Sequence, residues 1–174
     1  MRIALLADTH GYLDPRIAER VARCDLAVHA GDIGSAQVLD QLRPRSGEVV
    51  AIRGNNDIPA KWPAAERMQL DNLQWEIALA LPGGELVAVH GHQCRSAAQR
   101  HQRLRGRYPR ARAIVYGHSH RLTCDDAAEP WVINPGAAGR SRTHGGPSFI
   151  VLIAGPRRWR LEPQRFPPRT RQGE

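Results

Sequence analysis

A chain of 174 residues is long enough to bury one sizeable core and is of ordinary length for a single domain. The net charge of +8 comes almost wholly from dispersed arginines, with Lys61 the only lysine, so a compositional bias and a solvated basic face are the simplest reading. No apolar run reaches the ~18 residues of a membrane span, the N-terminal run is too short for a signal peptide, and Cys24, Cys94 and Cys124 are too few and scattered for a disulfide framework; a cytoplasmic protein is expected.

The apolar run over 3–7 predicts a buried strand that ends at Asp8. Asp14 and Pro15 then open a helix, Asp as cap and Pro at the first helical position. A second strand spans 26–30, Ser35 caps a helix that Pro44 stops, and a third strand spans 48–53. This β-α-β-α-β order is that of a parallel sheet with helices on its face. Strands are predicted next over 67–71, 73–81 and 85–90, the last two joined by Pro82-Gly83-Gly84, followed by a basic helix over 96–104. The remaining strand-like segments are 113–116, 121–124, 131–134, 149–154 and 158–161, and their order suggests a second, antiparallel-rich sheet. Residues 1–162 read as one domain and residues 163–174 as a flexible Pro- and Arg-rich tail.

Metal-binding side chains cluster at strand ends. Asp8-Thr9-His10, Gly31-Asp32, Gly54-Asn55-Asn56-Asp57, His90-Gly91-His92 and Gly117-His118-Ser119-His120 each follow an apolar run. In open α/β sheets, strand ends are where ligands bind. Carboxylates, imidazoles and one amide, with no thiolate, suit borderline divalent ions, and two such ions close together suit attack on a phosphate ester.

These motifs, in this order, resemble the calcineurin-like metallophosphoesterase superfamily, and the length resembles its small bacterial and archaeal phosphodiesterases of the YfcE type. The resemblance runs from Arg2 to about Ile153, and Asn134-Pro135-Gly136 matches a turn such proteins carry after the last histidine pair. It implies an α/β fold, a four-layer α-β-β-α sandwich of two mixed sheets flanked by helices. It also implies a metal-dependent phosphodiesterase that works through a dinuclear-metal-bound hydroxide. Asp32 would bridge two ions, one also held by Asp8, His10 and His120, the other by Asn55, His90 and His118. Mn²⁺ is favoured, with Fe, Ni or Zn as alternatives.

Asp32, Asn55 and His92 are the catalytic candidates, and Asn56, Arg140 and Arg142 the candidates for substrate contact. Asn56 stands where many relatives have a histidine that protonates the leaving group; an amide cannot do so, which favours activated phosphodiesters over alkyl monoesters. Asp57 is expected to brace the Asn55 loop. His29 reads as a packed, hydrogen-bonded core residue, His101 and His144 as surface residues, and the four tryptophans as core or interface. The favoured partner is a small phosphodiester; nucleic acid is a weaker alternative, no membrane is implied, and a homo-oligomer is compatible with the chain. The competing functions are a nuclease or nucleotide hydrolase and a non-catalytic interaction scaffold, the role of the retromer subunit with this fold.

Overall fold

The computed structural model describes residues 1–94 and 96–168. Strands β1 (Arg2–Leu6), β2 (Leu26–His29) and β3 (Val49–Ala51) alternate with helices α1 (Pro15–Val21) and α2 (Ala36–Asp40). Asp14 caps α1 by accepting from the Arg16 N–H at 3.0 Å, and Ser35 caps α2 by accepting from the Gln37 N–H at 3.2 Å. After a short 3-10 turn at Ala64–Glu66 come α3 (Arg67–Asn72), β4 (Glu76–Leu81), β5 (Gly84–Val89), α4 (Arg100–Arg107) and β6 (Ala113–Tyr116). Strands β7 (Thr123–Asp125), β8 (Trp131–Asn134), β9 (Ser148–Ala154) and β10 (Trp159–Arg165) complete the chain.

The strands make two five-stranded sheets, ordered β10-β9-β1-β2-β3 and β4-β5-β6-β8-β7. Both are mixed. In the first, β1, β2 and β3 are parallel while β9 and β10 pair antiparallel; in the second, β5, β6 and β8 are parallel and β4 and β7 are antiparallel edges.

Side chains alternate across each strand with a period of two, and the packing follows. Ile3, Leu5 and Ala7 face Leu86, Ala88 and Val115 in the core between the sheets. Ala4 and Leu6 face the other way, onto Ile17, Val21, Val38 and Leu70 of α1, α2 and α3. On the outer face of the second sheet, Val87, Ile114 and Val132 pack with Leu104 of α4. The result is the four-layer α-β-β-α sandwich that the resemblance implies.

Three expectations change. Residues 67–71 form α3 rather than a strand: Arg67, Met68, Gln69 and Leu70 are helix formers, none is β-branched, and only Leu70 is buried. The second sheet is mixed rather than antiparallel-rich, because β9 and β10 return beside β1 in the first sheet. Finally, β10 carries pairing through Arg165, opposite Ser148, so residues 163–165, read as tail, belong to the sheet; the tail's residues 169–174 lie outside the described residues.

Candidate metal centre

The C-terminal ends of β1, β2, β3, β5 and β6 open onto one edge of the sandwich. The β1–β2 ladder continues past the strands through Asp8 N–H to Gly31 O at 3.0 Å and His10 N–H to Asp32 O at 2.9 Å, which sets the first two clusters side by side. Gly31 has a φ of +89°, and a Cβ there would lie 2.8 Å from His90 Nδ1 and 2.7 Å from Gly54 N. A Cβ on Gly54 would fall on the Asp32 carboxylate. Glycine at these two positions lets the two sheets' loops meet.

The sequence spacing treats Asp8 and His10 as neighbours on one side of an extended segment, and likewise His118 and His120. The backbone instead turns left-handed at all four: φ is 55° at Asp8, 48° at His10, 67° at His118 and 56° at His120, and 56° at Asp32 as well. Non-glycine residues rarely adopt this conformation, and clusters of it mark functional sites. Among the described residues only Arg142 and His144 share it outside glycine. Left-handed turns aim these side chains into the space between the loops.

Seven predicted donors converge there. Asp8, His10 and His120 offer atoms within 4.8 Å of one another, and so do Asp8, Asp32 and His90. Asp32 Oδ2 lies 3.3 Å from His90 Nε2 and 3.8 Å from His10 Nε2. His10 and His120 oppose their Nε2 atoms at 3.2 Å. His118 Nδ1 and Asn55 Oδ1 are 3.0 Å apart, and the His118 ring meets His90 edge-on at 5.4 Å.

The tautomers suit ligation. His90 Nδ1 donates to Ala30 O at 2.8 Å and His120 Nδ1 to Ser141 O at 3.1 Å, so each turns an Nε2 lone pair inward. Asp8 Oδ2 and His90 Nε2 are buried with no hydrogen-bond partner. Buried polar atoms are seldom left so, and a cation held by these residues would satisfy both.

Burial pushes the Asp8 carboxyl up to about 7, against the lowering charge of His90. Burial also pushes His118 and His120 down to about 4, aided by His90 and Arg100 for the first and by Arg142 for the second. His10 and His92 move down for the same first reason. Burial opposes the Asp32 charge, yet the close approach and charge of His90, with two bonds from Asn56, outweigh it and hold the carboxyl well below the usual range. His90 is the converse: burial lowers it, and Asp32 and Asp8 raise it further. Most of the imidazoles are therefore neutral at pH 7, the form that binds metal.

The neighbouring residues divide. Asn56 donates from N and Nδ2 to the two Asp32 oxygens at 2.8 and 2.7 Å, and Lys61 Nζ bonds its Oδ1, so both side-chain ends are engaged. Arg142 reaches the site, its Nη2 3.2 Å from His120 Nε2. Arg140 does not; it lies over the Tyr12 ring at 4.9 Å. The His92 ring sits 5.7 Å from His90 and 6.4 Å from His118. Asp57 accepts from Ile33, Gly34, Gly54 and Trp62 Nε1 at 2.8–3.1 Å and ties two loops together. His29 is buried and holds Thr9 Oγ1 at 2.9 Å. The Asn134 side chain donates to Gly117 O at 2.8 Å and to Ser119 Oγ at 2.9 Å, so the Asn134-Pro135-Gly136 turn braces the last histidine pair.

One support escapes the sequence. His101, read as a surface residue, bonds Asp125 Oδ2 at 2.6 Å through Nδ1 and the Tyr116 hydroxyl at 3.0 Å through Nε2. Tyr116 is the last residue of β6, directly before Gly117-His118. Sequence spacing carried no signal for this, since the three partners lie on α4, β6 and β7.

Residues 1–154 match the calcineurin-like phosphoesterase superfamily domain. The chain belongs to that superfamily. A probable metallophosphoesterase of Methanocaldococcus jannaschii is 27% identical over 142 residues, 79% of this chain and 68% of that protein. A phosphodiesterase of the same organism is 24% identical over 157 residues, 78% and 83% of the two chains. In fold, this calcineurin-like chain is similar to a single mutant of Vps29 from Entamoeba histolytica, with TM-score 0.74 and 17% identity over 95% of this chain and 99% of that one. It is also similar to an archaeal phosphodiesterase, with TM-score 0.66 and 21% identity over 94% and 100%.

Proposed function

We propose that this calcineurin-like chain is a metal-dependent phosphodiesterase acting on a small or activated ester. The observation that carries the reading is the convergence of seven buried or half-buried donors at one edge of the sandwich, five of them on left-handed backbone. Strain of about 1–3 kcal/mol per residue persists only where the surroundings demand that placement. Asp8, His10 and His120 would hold one ion, Asn55, His90 and His118 another, and Asp32 would touch both. Asp8 offers a carboxylate oxygen within 4.8 Å of donors in both groups. Mn²⁺ suits this oxygen- and imidazole-rich set, with Fe²⁺, Ni²⁺ or Zn²⁺ also compatible. A Vps29 of E. histolytica described as complexed with zinc offers a precedent for metal in this fold.

When bound, such a pair supplies the Lewis acidity that activates a water and offsets charge building on the phosphate oxygens. The chain's own residues do the rest. Asn56 and His90 fix the Asp32 carboxylate. Arg142, beside His120, offers a guanidinium to a phosphate oxygen. His92, beside His118, faces an ester arm. Asn56 cannot protonate a departing oxygen, so the leaving group must be a weak base. The free state of Cys24, Cys94 and Cys124 fits a cytoplasmic setting, and no described helix is long and apolar enough to cross a membrane.

The test is hydrolysis of bis-p-nitrophenyl phosphate by metal-stripped protein given Mn²⁺, Ni²⁺, Zn²⁺ or Mg²⁺, beside Asp32→Ala. Activity should return with a transition metal, be lost by at least ~10²-fold in the variant, and exceed that on p-nitrophenyl phosphate. The likeness to Vps29 in fold favours a second reading, a protein-interaction scaffold. Two ions bound without turnover of either ester would select it.

A further inference from the structure

Trp75 stands apart from the other tryptophans. Trp62 and Trp159 are 4% and 3% exposed, whereas Trp75 is 47% exposed. A single exposed apolar side chain is ordinary; what distinguishes this indole is where it is held. Its position is fixed. Gln74 pairs with Ile52 in a parallel bridge, and Gln74 O accepts from Arg53 N–H at 2.7 Å, which registers Trp75 against the strand leading to Gly54-Asn55. The Arg53 guanidinium lies over the indole, 4.9 Å from its centroid, while Arg53 Nη2 donates to Asp57 O at 3.2 Å. The His92 ring meets the indole at 6.0 Å, tilted by 51°, and His92 in turn meets His118 at 6.4 Å. A continuous line of rings therefore runs from a metal-ligand candidate out to a half-exposed indole.

Resting on the phosphodiesterase reading above, we infer that Trp75 is the specificity-determining platform for one ester arm, and that this arm carries a planar heteroaromatic ring, as in a nucleotide diester. With the phosphorus held at the donors, the arm passes His92 and its ring stacks on the indole. Every nucleobase has a face that can do this. A quaternary ammonium, the other ligand tryptophans favour, is disfavoured here because the Arg53 guanidinium already occupies the indole's neighbourhood. The indole is held before substrate arrives and loses little freedom on binding.

Adenosine 5'-monophosphate and ribose 5-phosphate share a phosphate and a ribose and differ only in the base. Calorimetry on the full, Mn²⁺-loaded chain should find the nucleotide bound about tenfold more tightly. Trp75→Ala should bring it to the ribose 5-phosphate level and leave ribose 5-phosphate unchanged, while Trp75→Phe should keep part of the preference. Equal affinities in the unaltered chain, or a loss in Trp75→Ala that strikes both ligands alike, would overturn the inference. Hydrolysis of bis-p-nitrophenyl phosphate is measured beside it. Turnover without base preference rejects the platform alone; absence of turnover and of binding by either ligand rejects the site as well.

Discussion

At Gly54 the fold tolerates no side chain, for a reason unrelated to backbone freedom. A Cβ there would meet the Asp32 carboxylate and its backbone N together. Asp32 is pinned from the other side by Asn56, so it cannot retreat. Gly54→Ala should therefore cost about 1–3 kcal/mol of stability, typical of overpacking a closed site, and weaken metal binding more than it weakens the fold. Metal titration followed by calorimetry, beside a denaturation curve, separates the two. An alanine variant that binds metal as tightly as the unaltered chain would show that Asp32 has freedom the packing denies it. The residue identities at this site were legible because Asp8, His10, Asp32, Asn55, His90, His118 and His120 all follow apolar runs. Their left-handed backbone was not, since a local turn in Asp or His is dictated by the loops it joins. The sequence also offered no way to separate Arg140 from Arg142, two residues apart in a basic chain; only Tyr12 beneath one and His120 beside the other distinguish them.

Among the elements, α4 shows how a support can be hidden. Its His101 joins Asp125 of β7 to Tyr116 of β6, so one side chain links a helix to two strands of the second sheet. Asp125 keeps Arg105 at 2.7 Å when His101 is lost, but the Tyr116 hydroxyl loses this partner. His101→Ala should cost about 1–2 kcal/mol, and His144→Ala, on an exposed loop, less than about 0.5 kcal/mol. Urea midpoints compare the two; equal midpoints would return His101 to the surface class that the sequence suggests. Local patterns recovered β1, α1, β2, α2, β6 and β8 closely, because each carries a buried run or an explicit cap such as Asp14 or Ser35. They failed at residues 67–71, where one buried residue, Leu70, gives no period to read. They also failed on which sheet receives β9 and β10, because pairing of β9 with β1 joins segments nearly the whole chain apart.

For the whole molecule, the buried site couples folding, pH and metal. His29, His118 and His120 lie at about 4 when folded, against about 6.5 unfolded. Below pH 6.5 the unfolded chain takes up protons that the folded chain refuses, so these groups withdraw stability as pH falls from 6.5 towards 4. Lowered His10 and His92 act in the same direction. Asp8, raised to about 7, acts oppositely: its contribution is full below 3.8 and is lost as pH rises through about 7. The raised His90 and lowered Asp32 both contribute fully between pH 4 and 6.5 and add no slope there. The histidines outnumber the aspartate. The metal-free chain should therefore lose stability, read as a falling Tm, as pH drops from 6.5 to 4. On the proposed ligand set, a metal ion needs the Asp8 carboxylate and neutral imidazoles, so its binding would displace the Asp8 proton below pH 7. The rise in Tm on adding Mn²⁺ should accordingly grow from pH 5 to pH 8. Scanning calorimetry with chelator and with Mn²⁺ across that range measures both slopes. A metal-induced rise that stays constant with pH would mean that Asp8 is not among the groups the ion engages.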